Sequence, residues 1–495
     1  MSKENYSHAS LKELIFRFVK ISSTYGGFKF ISQFGAFFLT PIYWHYLSPE
    51  DYGTLGLIAV LQGVITPIIN LGLHSSVERF YYEWNEEERK YKIGALWLIS
   101  IIISFLIITA IDLSSEIIFP HIFTQVPYNP YFRVSLVTTL FVSLSFFPFV
   151  ILRITEKSKQ FGIYSVFNFA LTSVISIFML SVLKYKVLGV LYGGLISALI
   201  MGVFWIIWMY KRIKININIG KIKSEIYYSI PNLPINILEA IGNNFDQYLL
   251  EKYLGLKQLG YYSIGNRFGT YFNQLNSSLK TAWFPMTYKM LSQKKDFKSV
   301  LPSLSLFYFY VLTIFALSSS LLLREVILLF AREKYIDAYQ FVPLFILIYL
   351  IRNFGTAWGR GLDLVKKPQY TLFSTIPGVI SSMVLLYIWV PRYGAYGAIY
   401  AMLVSSLIKT FIYVLIAHIF YPRKFPVDKV IYLCLTCGFL FLIGNNSDLN
   451  TFASILFKIS IIILFMAIGS IITFGYKNVI SQVSLMARKR FNNNT

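Results

Sequence analysis

Polar and ionisable side chains recur at helical spacing inside four apolar stretches of the chain. In one stretch Glu239 and Asp246 stand seven residues apart, and in the next Arg267 and Gln274 do the same. Because residues three or four apart lie on one face of a helix, each stretch would present one polar face. The four polar series are Ser22, Gly26, Lys29 and Gln33; Gln62, Thr66, Asn70, His74 and Glu78; Asn232, Asn236, Glu239, Asn243 and Asp246; and Ser263, Arg267, Thr270, Gln274 and Ser277.

Two explanations fit these polar faces. Ser, Asn and Gln join membrane helices through hydrogen bonds, and for any single residue this packing role is the simpler one. An ionisable side chain in mid-bilayer costs about 2.5–3.5 kcal/mol, and packing does not require Lys29, Arg267 or Asp246. We therefore predict a hydrated cavity lined by these four stretches, which Arg352 either joins or leaves by extending to an interface. Lys458, near the start of its stretch, is expected to extend to the interface.

Fourteen apolar stretches, each close to the roughly 20 residues that span a bilayer, occupy most of the chain. Thirty of the 45 Lys and Arg residues lie in every second gap between them, and nine lie in the other gaps. Cytoplasmic loops carry an excess of Lys and Arg, so this alternation predicts a multi-pass membrane protein with both termini in the cytoplasm. The predicted spans lie near 20–45, 54–78, 93–112, 133–152, 161–183, 187–210, 226–250, 258–285, 302–323, 338–358, 368–390, 395–418, 429–444 and 452–475.

Composition and motifs exclude several other classes. Charged residues make up 14% of the chain, against roughly 25% in soluble domains. The net charge of +22 is confined to alternate loops, where topology and anionic lipids explain it, so no nucleic-acid partner is expected. Cys434 and Cys437 lie inside a predicted span with no further zinc ligands nearby, so no metal site is expected. The loops are short and carry no hydrolase or nucleotide-binding motif, so we do not expect an enzyme.

The two halves of the chain resemble each other at an offset of about 207 residues. The recurring groups are Tyr46-Leu47 and Gly53 with Tyr253-Leu254 and Gly260; Arg153 and Glu156 with Arg360 and Asp363; and Gly189, Tyr192 and Ser197 with Gly397, Tyr400 and Ser405. Each repeat has six spans, so the halves run in the same direction, as in transporters whose site lies between parallel repeats. We predict an all-α polytopic protein with a six-helix bundle at 1–212, a basic cytoplasmic linker at 213–225, a second bundle at 226–420, and two added spans with a cytoplasmic tail at 421–495.

Several motifs resemble the Wzx-type polysaccharide flippases. The run YLSPEDYGTLGLI (Tyr46–Ile58), followed by LGLHSSVERFYYE (Leu71–Glu83), is similar to the start of these proteins. YSIPNLPINI (Tyr228–Ile237) and LGYYSIGNRF (Leu259–Phe268) resemble their second half. The same superfamily contains the multidrug antiporters of the MATE type and the lipid II flippases. The resemblance implies a V-shaped pair of six-helix bundles that works by alternating access.

The resemblance also implies a cargo, an undecaprenyl-pyrophosphate-linked oligosaccharide that moves to the outer leaflet of a bacterial plasma (inner) membrane. The residues expected to meet its pyrophosphate or sugars are Lys29, Gln33, Asn70, Arg267, Gln274 and Arg352. Glu239, Asp246 and Glu78 are expected to hold a coupling ion, H⁺ or Na⁺, and no other cofactor is implied. His74 departs from the family pattern, because an acid is common there, and Glu78 is the substitute. Besides the lipid bilayer, a polysaccharide polymerase and other assembly proteins are the expected partners.

Three other functions compete with this interpretation. Antiport of drugs or organic cations would favour an acid-rich cavity, whereas the predicted cavity holds Lys29 and Arg267 as well as Glu239 and Asp246. Lipid II flipping is closer, but the opening motif fits the polysaccharide group better. A scaffold that transports nothing would not need charges inside the membrane.

Overall fold

The described part of the chain is almost entirely helical. A computed structural model describes residues 35, 37, 39–214, 219–229, 233–292, 297–358, 368–422, 426–445 and 451–474. Within them, ten helices are long and apolar enough to span a membrane. The predicted all-α, multi-pass fold class is therefore confirmed.

The helices follow one another with short connections. Their bounds are α1 (Pro49–Asn70), α2 (Leu73–Phe80), α3 (Glu86–Leu113), α4 (Ser115–Ile122), α5 (Arg133–Ser143), α6 (Phe146–Ile154), α7 (Ser158–Ser181), α8 (Lys186–Tyr210), α9 (Lys223–Ser229), α10 (Leu233–Ser292), α11 (Phe297–Ala331), α12 (Ile336–Tyr339), α13 (Val342–Trp358), α14 (Leu372–Phe420), α15 (Val427–Asn445) and α16 (Thr451–Phe474). A π-helical turn, Tyr128–Phe132, precedes α5.

Two of these helices each contain two predicted spans. The backbone of α10 leaves helical geometry at Gly255, where φ is +80°, and α14 does so at Gly394, where φ is +62°. Glycine adopts positive φ without the steric cost that a Cβ atom would bring. With these two breaks, the described helices account for every predicted span after the first.

Helix α1 has a sharply defined start and end. The Ser48 hydroxyl accepts a hydrogen bond from the Asp51 backbone N–H at 3.2 Å, and the Asp51 carboxylate accepts one from the Ser48 N–H at 2.8 Å. This capping box satisfies backbone donors that the first helical turn leaves open. At the other end Leu71 and Gly72 both have positive φ, 45° and 66°. The predicted span at 54–78 is therefore divided into α1 and α2.

The described residues form two compact units. One contains the residues up to Ile264 together with Ser382–Ala398, and the other contains Gly265–Ser381 and the residues from Ile399 onward. An aromatic cluster fills the core of the first unit, including Trp84, Trp97, Phe147 and Trp205. In the second unit, α11 packs against α13, α15 and α16. The domain boundaries predicted from the repeat remain predictions.

The end of the predicted linker is a docked helix. Glu225 in α9 has only 1% of its surface exposed. Its Oε1 accepts hydrogen bonds from Trp84 Nε1 at 3.2 Å and from Lys92 Nζ at 2.8 Å, and its Oε2 accepts one from the Ser224 hydroxyl at 2.8 Å. Burial alone would raise the pKa of Glu225, but the hydrogen bonds from Lys92 and Ser224 outweigh it and leave the pKa below its usual value. Glu225 therefore fixes α9 to α3 as a carboxylate.

Candidate functional site

Asp246 is the most deeply buried of the predicted site residues that the structure describes, with 1% of its surface exposed. It lies on the first half of α10, and the Tyr262 hydroxyl, from the second half, donates a hydrogen bond to its Oδ2. The break at Gly255 separates the two halves and lets Tyr262 reach Asp246. An ionisable side chain placed this way inside a membrane protein is a candidate for holding a proton or a small cation.

Close contact with α1 positions both halves of α10. A Cβ atom on Gly53 would lie 2.1 Å from the Leu256 carbonyl oxygen, so only glycine fits there. A Cβ atom on Gly56 would lie 2.5 Å from the Ser263 hydroxyl, which is itself 3.5 Å from Gln247 Oε1. Small residues let membrane helices approach this closely. Gln247, which follows Asp246 in the chain, therefore packs against α1.

Glu239 occupies the same face of α10 as Asp246. Seven residues correspond to about two helical turns, so the two side chains leave the helix in nearly the same direction. Glu239 is partly buried, whereas Asp246 is fully buried. Both acids are in the first unit. Their role in holding a coupling ion remains a prediction.

The candidate cations that the structure describes, Arg267 and Arg352, lie in the second unit. Arg352 is partly buried, its Nε donates a hydrogen bond to the Ser406 hydroxyl at 2.9 Å, and its guanidinium lies 5.6 Å from the centre of the Tyr349 ring. Arg267 and Gln274 are on the second half of α10, where Arg267 is exposed and Gln274 is partly buried. Arg352 therefore joins α13 to α14, and its predicted place in the cavity or at an interface remains a prediction.

Next to Arg352 is a buried amide network that the sequence did not reveal. Asn276 donates to Asn353 Oδ1, and the Tyr308 hydroxyl donates to Asn276 Oδ1. Asn353 Nδ2 in turn donates to Asn273 Oδ1 at 3.2 Å. A satisfied polar network of this kind fixes the packing of α10, α11 and α13. Asn273 and Asn276 are three residues apart, and this spacing was the only signal in the sequence.

Asn70 and Glu78 lie on successive helices, Asn70 at the end of α1 and Glu78 on α2. Asn70 Oδ1 is 3.1 Å from His74 Nδ1, so His74 is hydrogen-bonded. Glu78 forms an ion pair with Arg153, and the two side chains are 39% and 58% exposed. Asn70, His74 and Arg153 line one cavity of about 200 Å³. The structure thus brings one predicted site residue, Asn70, to a small pocket in the first unit, and Glu78 is linked to that pocket through its ion pair with Arg153.

The predicted site residues are divided between the two units. Asn70, Glu78, Glu239 and Asp246 belong to the first unit, and Arg267, Gln274 and Arg352 belong to the second. Lys29 and Gln33 lie outside the described residues. A cavity that all of them share remains a prediction.

A second feature that the sequence did not reveal is the Glu251 clamp, formed by Thr124, Gln125, Glu251 and Leu256. Glu251 is fully buried, and its Oε1 accepts hydrogen bonds from the Thr124 N–H at 3.0 Å, the Thr124 hydroxyl at 3.1 Å and the Gln125 N–H at 2.9 Å. The Gln125 amide donates to the Glu251 carbonyl at 3.0 Å and accepts from the Leu256 N–H at 3.1 Å. The clamp therefore ties the loop after α4 to the break in α10. Residues 113–131, which include this loop, carry no Lys or Arg, so the loop is predicted to face outward.

The expectation for Lys458 is wrong. Its side chain is fully buried rather than extended to an interface, and its Nζ lies 2.5 Å from Glu325 Oε1. The Ser454 hydroxyl donates to the same oxygen at 2.9 Å. The Glu325 carboxylate on α11 thus compensates for the loss of hydration of the buried ammonium group. This ion pair joins α16 to α11.

The cysteines fit their predicted place in a span. Cys434 and Cys437 lie within α15 as free thiols. Among the residues that the structure describes, no group of three or more His, Cys, Asp and Glu side chains is arranged to hold a metal ion.

Comparison with known proteins adds a family and a fold. Residues 46–340 match the family described as polysaccharide biosynthesis protein. The fold is similar to that of the lipid II flippase MurJ in an inward closed conformation, with a TM-score of 0.72, 14% identity, and coverage of 92% of this chain and 99% of that one. It is also similar to an inward-facing MATE family multidrug resistance transporter of the MOP superfamily, with a TM-score of 0.61, 13% identity, and coverage of 80% and 94%.

A third similar structure is a MOP superfamily transporter from Pyrococcus furiosus, described as having a binding pocket of reverse polarity. Its TM-score is 0.55 at 15% identity, with coverage of 81% of this chain and 94% of that one. At these identities the likeness shows the fold alone. No curated protein matches the chain significantly.

Proposed function

Because the chain belongs to the polysaccharide biosynthesis protein family, we propose that it is a flippase for undecaprenyl-pyrophosphate-linked oligosaccharides. The observation that carries this proposal is the combination of that family match with the fold of a lipid II flippase over 92% of the chain. The cargo moves from the cytoplasmic to the outer leaflet of a bacterial plasma membrane. The protein catalyses no covalent step in this function.

The chemistry of the candidate residues suits both parts of the cargo. Pyrophosphate is a dense anion, and Arg and Lys bind it with charge-assisted hydrogen bonds. Arg267 and Arg352, with Lys29, are the residues that we assign to it. Gln33, Asn70 and Gln274 carry amides that donate to and accept from sugar hydroxyl groups. The polyprenyl tail stays in the surrounding lipid.

An ion gradient supplies the driving force in this proposal. Each elementary charge that crosses 100 mV gains about 2.3 kcal/mol. Asp246 is the leading site for H⁺ or Na⁺, because its carboxyl group is fully buried and hydrogen-bonded to Tyr262. Glu239 is the second candidate. Glu78 is the weakest, since its carboxylate already pairs with Arg153.

Alternating access requires the outward side to open and close, and the Glu251 clamp is suited to hold it closed. Its three hydrogen bonds to one carboxylate oxygen connect segments 126 and 127 residues apart in the chain. Release of the cargo to the outer leaflet would separate the loop at Thr124 from α10. The clamp therefore belongs to the inward-facing state in this mechanism.

The experiment that tests the function uses a host strain that lacks this chain and any second flippase. Undecaprenyl-linked intermediates are extracted, and the membrane face that each occupies is determined. We expect a complete repeat unit to accumulate on the cytoplasmic face and the surface polysaccharide to disappear, with both defects reversed by the wild-type chain. Normal surface polysaccharide without accumulation would reject the proposal.

Antiport of organic cations is the second candidate, because MATE transporters share the fold and Asp246 is a buried acid. The two candidates differ in which defect the deletion causes. A drug antiporter would change the susceptibility of the strain to cationic compounds and leave the polysaccharide intact. Deletion of a flippase would abolish the surface polysaccharide and leave the susceptibility to cationic compounds unchanged.

A further inference from the structure

A small cavity in the first unit has a polar edge formed by Asn70, His74 and Arg153. Asn70 and His74 are hydrogen-bonded to each other through Oδ1 and Nδ1. The Asn70 amide nitrogen and the second ring nitrogen of His74 take no part in that bond. Both donors and acceptors are therefore available at this edge, as the binding of hydroxyl groups requires.

Three of the residues that line the cavity are aromatic. Phe146, Phe149 and Phe161 line it, and the Phe149 and Phe161 rings meet edge to face with their centres 5.1 Å apart. Apolar walls with a few placed polar groups are the usual composition of a site for a small organic ligand. The phenylalanine rings suit contact with the C–H groups on the face of a ligand whose edge carries polar groups.

The size and charge of the cavity restrict the ligand further. Its volume of about 200 Å³ corresponds to about seven water molecules and is below the roughly 300–1,000 Å³ of sites for drug-sized molecules. Arg153 is already neutralised by its ion pair with Glu78. An anion would have to compete with that carboxylate, whereas a neutral ligand would not. One uncharged ring with several hydroxyl groups fits these limits.

The internal repeat indicates that these side chains are not simply required by the fold. At the 207-residue offset Arg153 corresponds to Arg360, so the cation is present in both halves. Phe149, however, corresponds to Thr356, and Asn70 corresponds to Ser277. The aromatic walls and the amide thus belong to the first half alone.

We propose that this cavity is a monosaccharide subsite, which takes one neutral sugar ring of the transported glycan. The proposal rests on the proposed flippase function for the source of the sugar, but the cavity itself is independent of transport. Asn70 and His74 would bind the ring hydroxyl groups, and Phe149 and Phe161 would contact its C–H face. Arg153, held by Glu78, would close the polar rim.

The test measures the binding of methyl glycosides to the full-length protein in lipid nanodiscs. A panel of methyl hexosides, N-acetylhexosaminides and 6-deoxyhexosides is screened by saturation-transfer NMR, with inorganic phosphate as the competitor. We expect at least one glycoside to bind, with Asn70→Ala weakening it about tenfold through lost hydrogen bonds. Phe161→Leu should weaken the same glycoside severalfold. Phe167→Leu, on the same helix but 54% exposed, should bind like the wild type.

Three results would overturn the proposal: no glycoside of the panel binds, both cavity variants bind like the wild type, or phosphate displaces the glycoside. The third would identify an anion site instead. Because binding is measured without transport, the result is separate from the deletion experiment. Glycoside binding with normal polysaccharide in the deletion strain would leave the subsite standing and reject only the flippase.

Discussion

Each deeply buried acid for which the structure gives a contact is stabilised by a specific neighbour. Asp246 accepts from Tyr262, Glu251 accepts from Thr124 and Gln125, and Glu325 pairs with Lys458. Burying an unpaired charge is costly, so these neighbours determine where the acids can lie. The pairs differ in kind: Lys458 brings a positive charge to Glu325, whereas Tyr262 brings a neutral hydroxyl group to Asp246.

The Lys458–Glu325 pair is expected to contribute to stability only as a pair. Lys458→Met or Glu325→Gln alone should destabilise the protein by about 3–5 kcal/mol, because each leaves one group buried without its partner. The double variant should recover most of the loss. Thermal unfolding of the purified variants in detergent measures this, with the exposed Lys159→Met as the control. Equal unfolding temperatures for the single variants and the wild type would contradict the buried pair.

Asp246 is expected to determine ion dependence rather than folding. Asp246→Asn keeps the size of the side chain and an oxygen for the Tyr262 hydroxyl but removes the titratable group. We predict that transport by this variant no longer responds to an imposed H⁺ or Na⁺ gradient. Tyr262→Phe, which keeps the carboxyl group, should still respond. An unchanged response in the Asp246→Asn, Glu239→Gln double variant would exclude both acids as coupling sites.

At the scale of elements, breaks in the helices determine which side chains meet. The turn at Gly255 lets Tyr262 reach Asp246 and places Leu256 against Gly53. The same turn presents the Leu256 N–H to Gln125. The positive φ of Gly255 thus positions both the partner of Asp246 and the Leu256 N–H of the Glu251 clamp.

Weakening the Glu251 clamp should expose the outward side. Glu251→Gln keeps the shape but replaces charge-assisted hydrogen bonds, worth about 1.5–3 kcal/mol each, with weaker neutral ones. In a chain without its two native cysteines, Thr54→Cys reports access to α1, where Thr54 is 8% exposed. A membrane-impermeant maleimide should modify this cysteine faster in the Glu251→Gln background. The matched control is Glu50→Gln, which changes an exposed acid at the same end of α1. Equal rates of cysteine modification in the Glu251→Gln and Glu50→Gln backgrounds would reject the gating role.

The docking of α9 should depend on pH in the acid range. The pKa of Glu225 in the folded protein is below the usual value of 4.5, so its contribution is complete above pH 4.5 and is lost as the pH falls through the lower, folded pKa. Hydrogen exchange of Lys223–Ser229 should therefore show lost protection at acid pH. Glu225→Gln should show weaker protection with no such dependence. Identical pH profiles for the variant and the wild type would contradict this account.

The sequence predicted what is local and periodic. Hydropathy identified the spans, and the spacing of Glu239 and Asp246 indicated a shared helical face. Partners distant in the chain were not predictable, because nothing in the sequence near Lys458 indicates Glu325, 133 residues away. For the same reason Glu251 gave no signal, since its donors at Thr124 and Gln125 lie on a loop of the other half. The break at Leu71 was missed because a non-glycine residue with positive φ is uncommon.

At the scale of the whole molecule, the predicted acids and cations that the structure describes fall in different compact units. The predicted acids Glu239 and Asp246 belong to one compact unit, and the cations Arg267 and Arg352 belong to the other. A transporter for a lipid-linked pyrophosphate needs cations for its cargo and acids for its coupling ion. That these acids and cations serve the proposed flippase in those roles remains a prediction.

Reconstitution of the purified protein assays the flipping of lipid-linked glycans without other cell components. The purified chain is placed in liposomes with the undecaprenyl-pyrophosphate-linked repeat unit of its own host, and an impermeant glycosidase attacks the glycans exposed outside. We predict that the protein makes the inner-leaflet glycans accessible, and that Arg352→Ala, which removes a proposed pyrophosphate ligand, slows this severalfold. Protection of the inner-leaflet glycans equal to that in protein-free liposomes, at every imposed gradient, would contradict it.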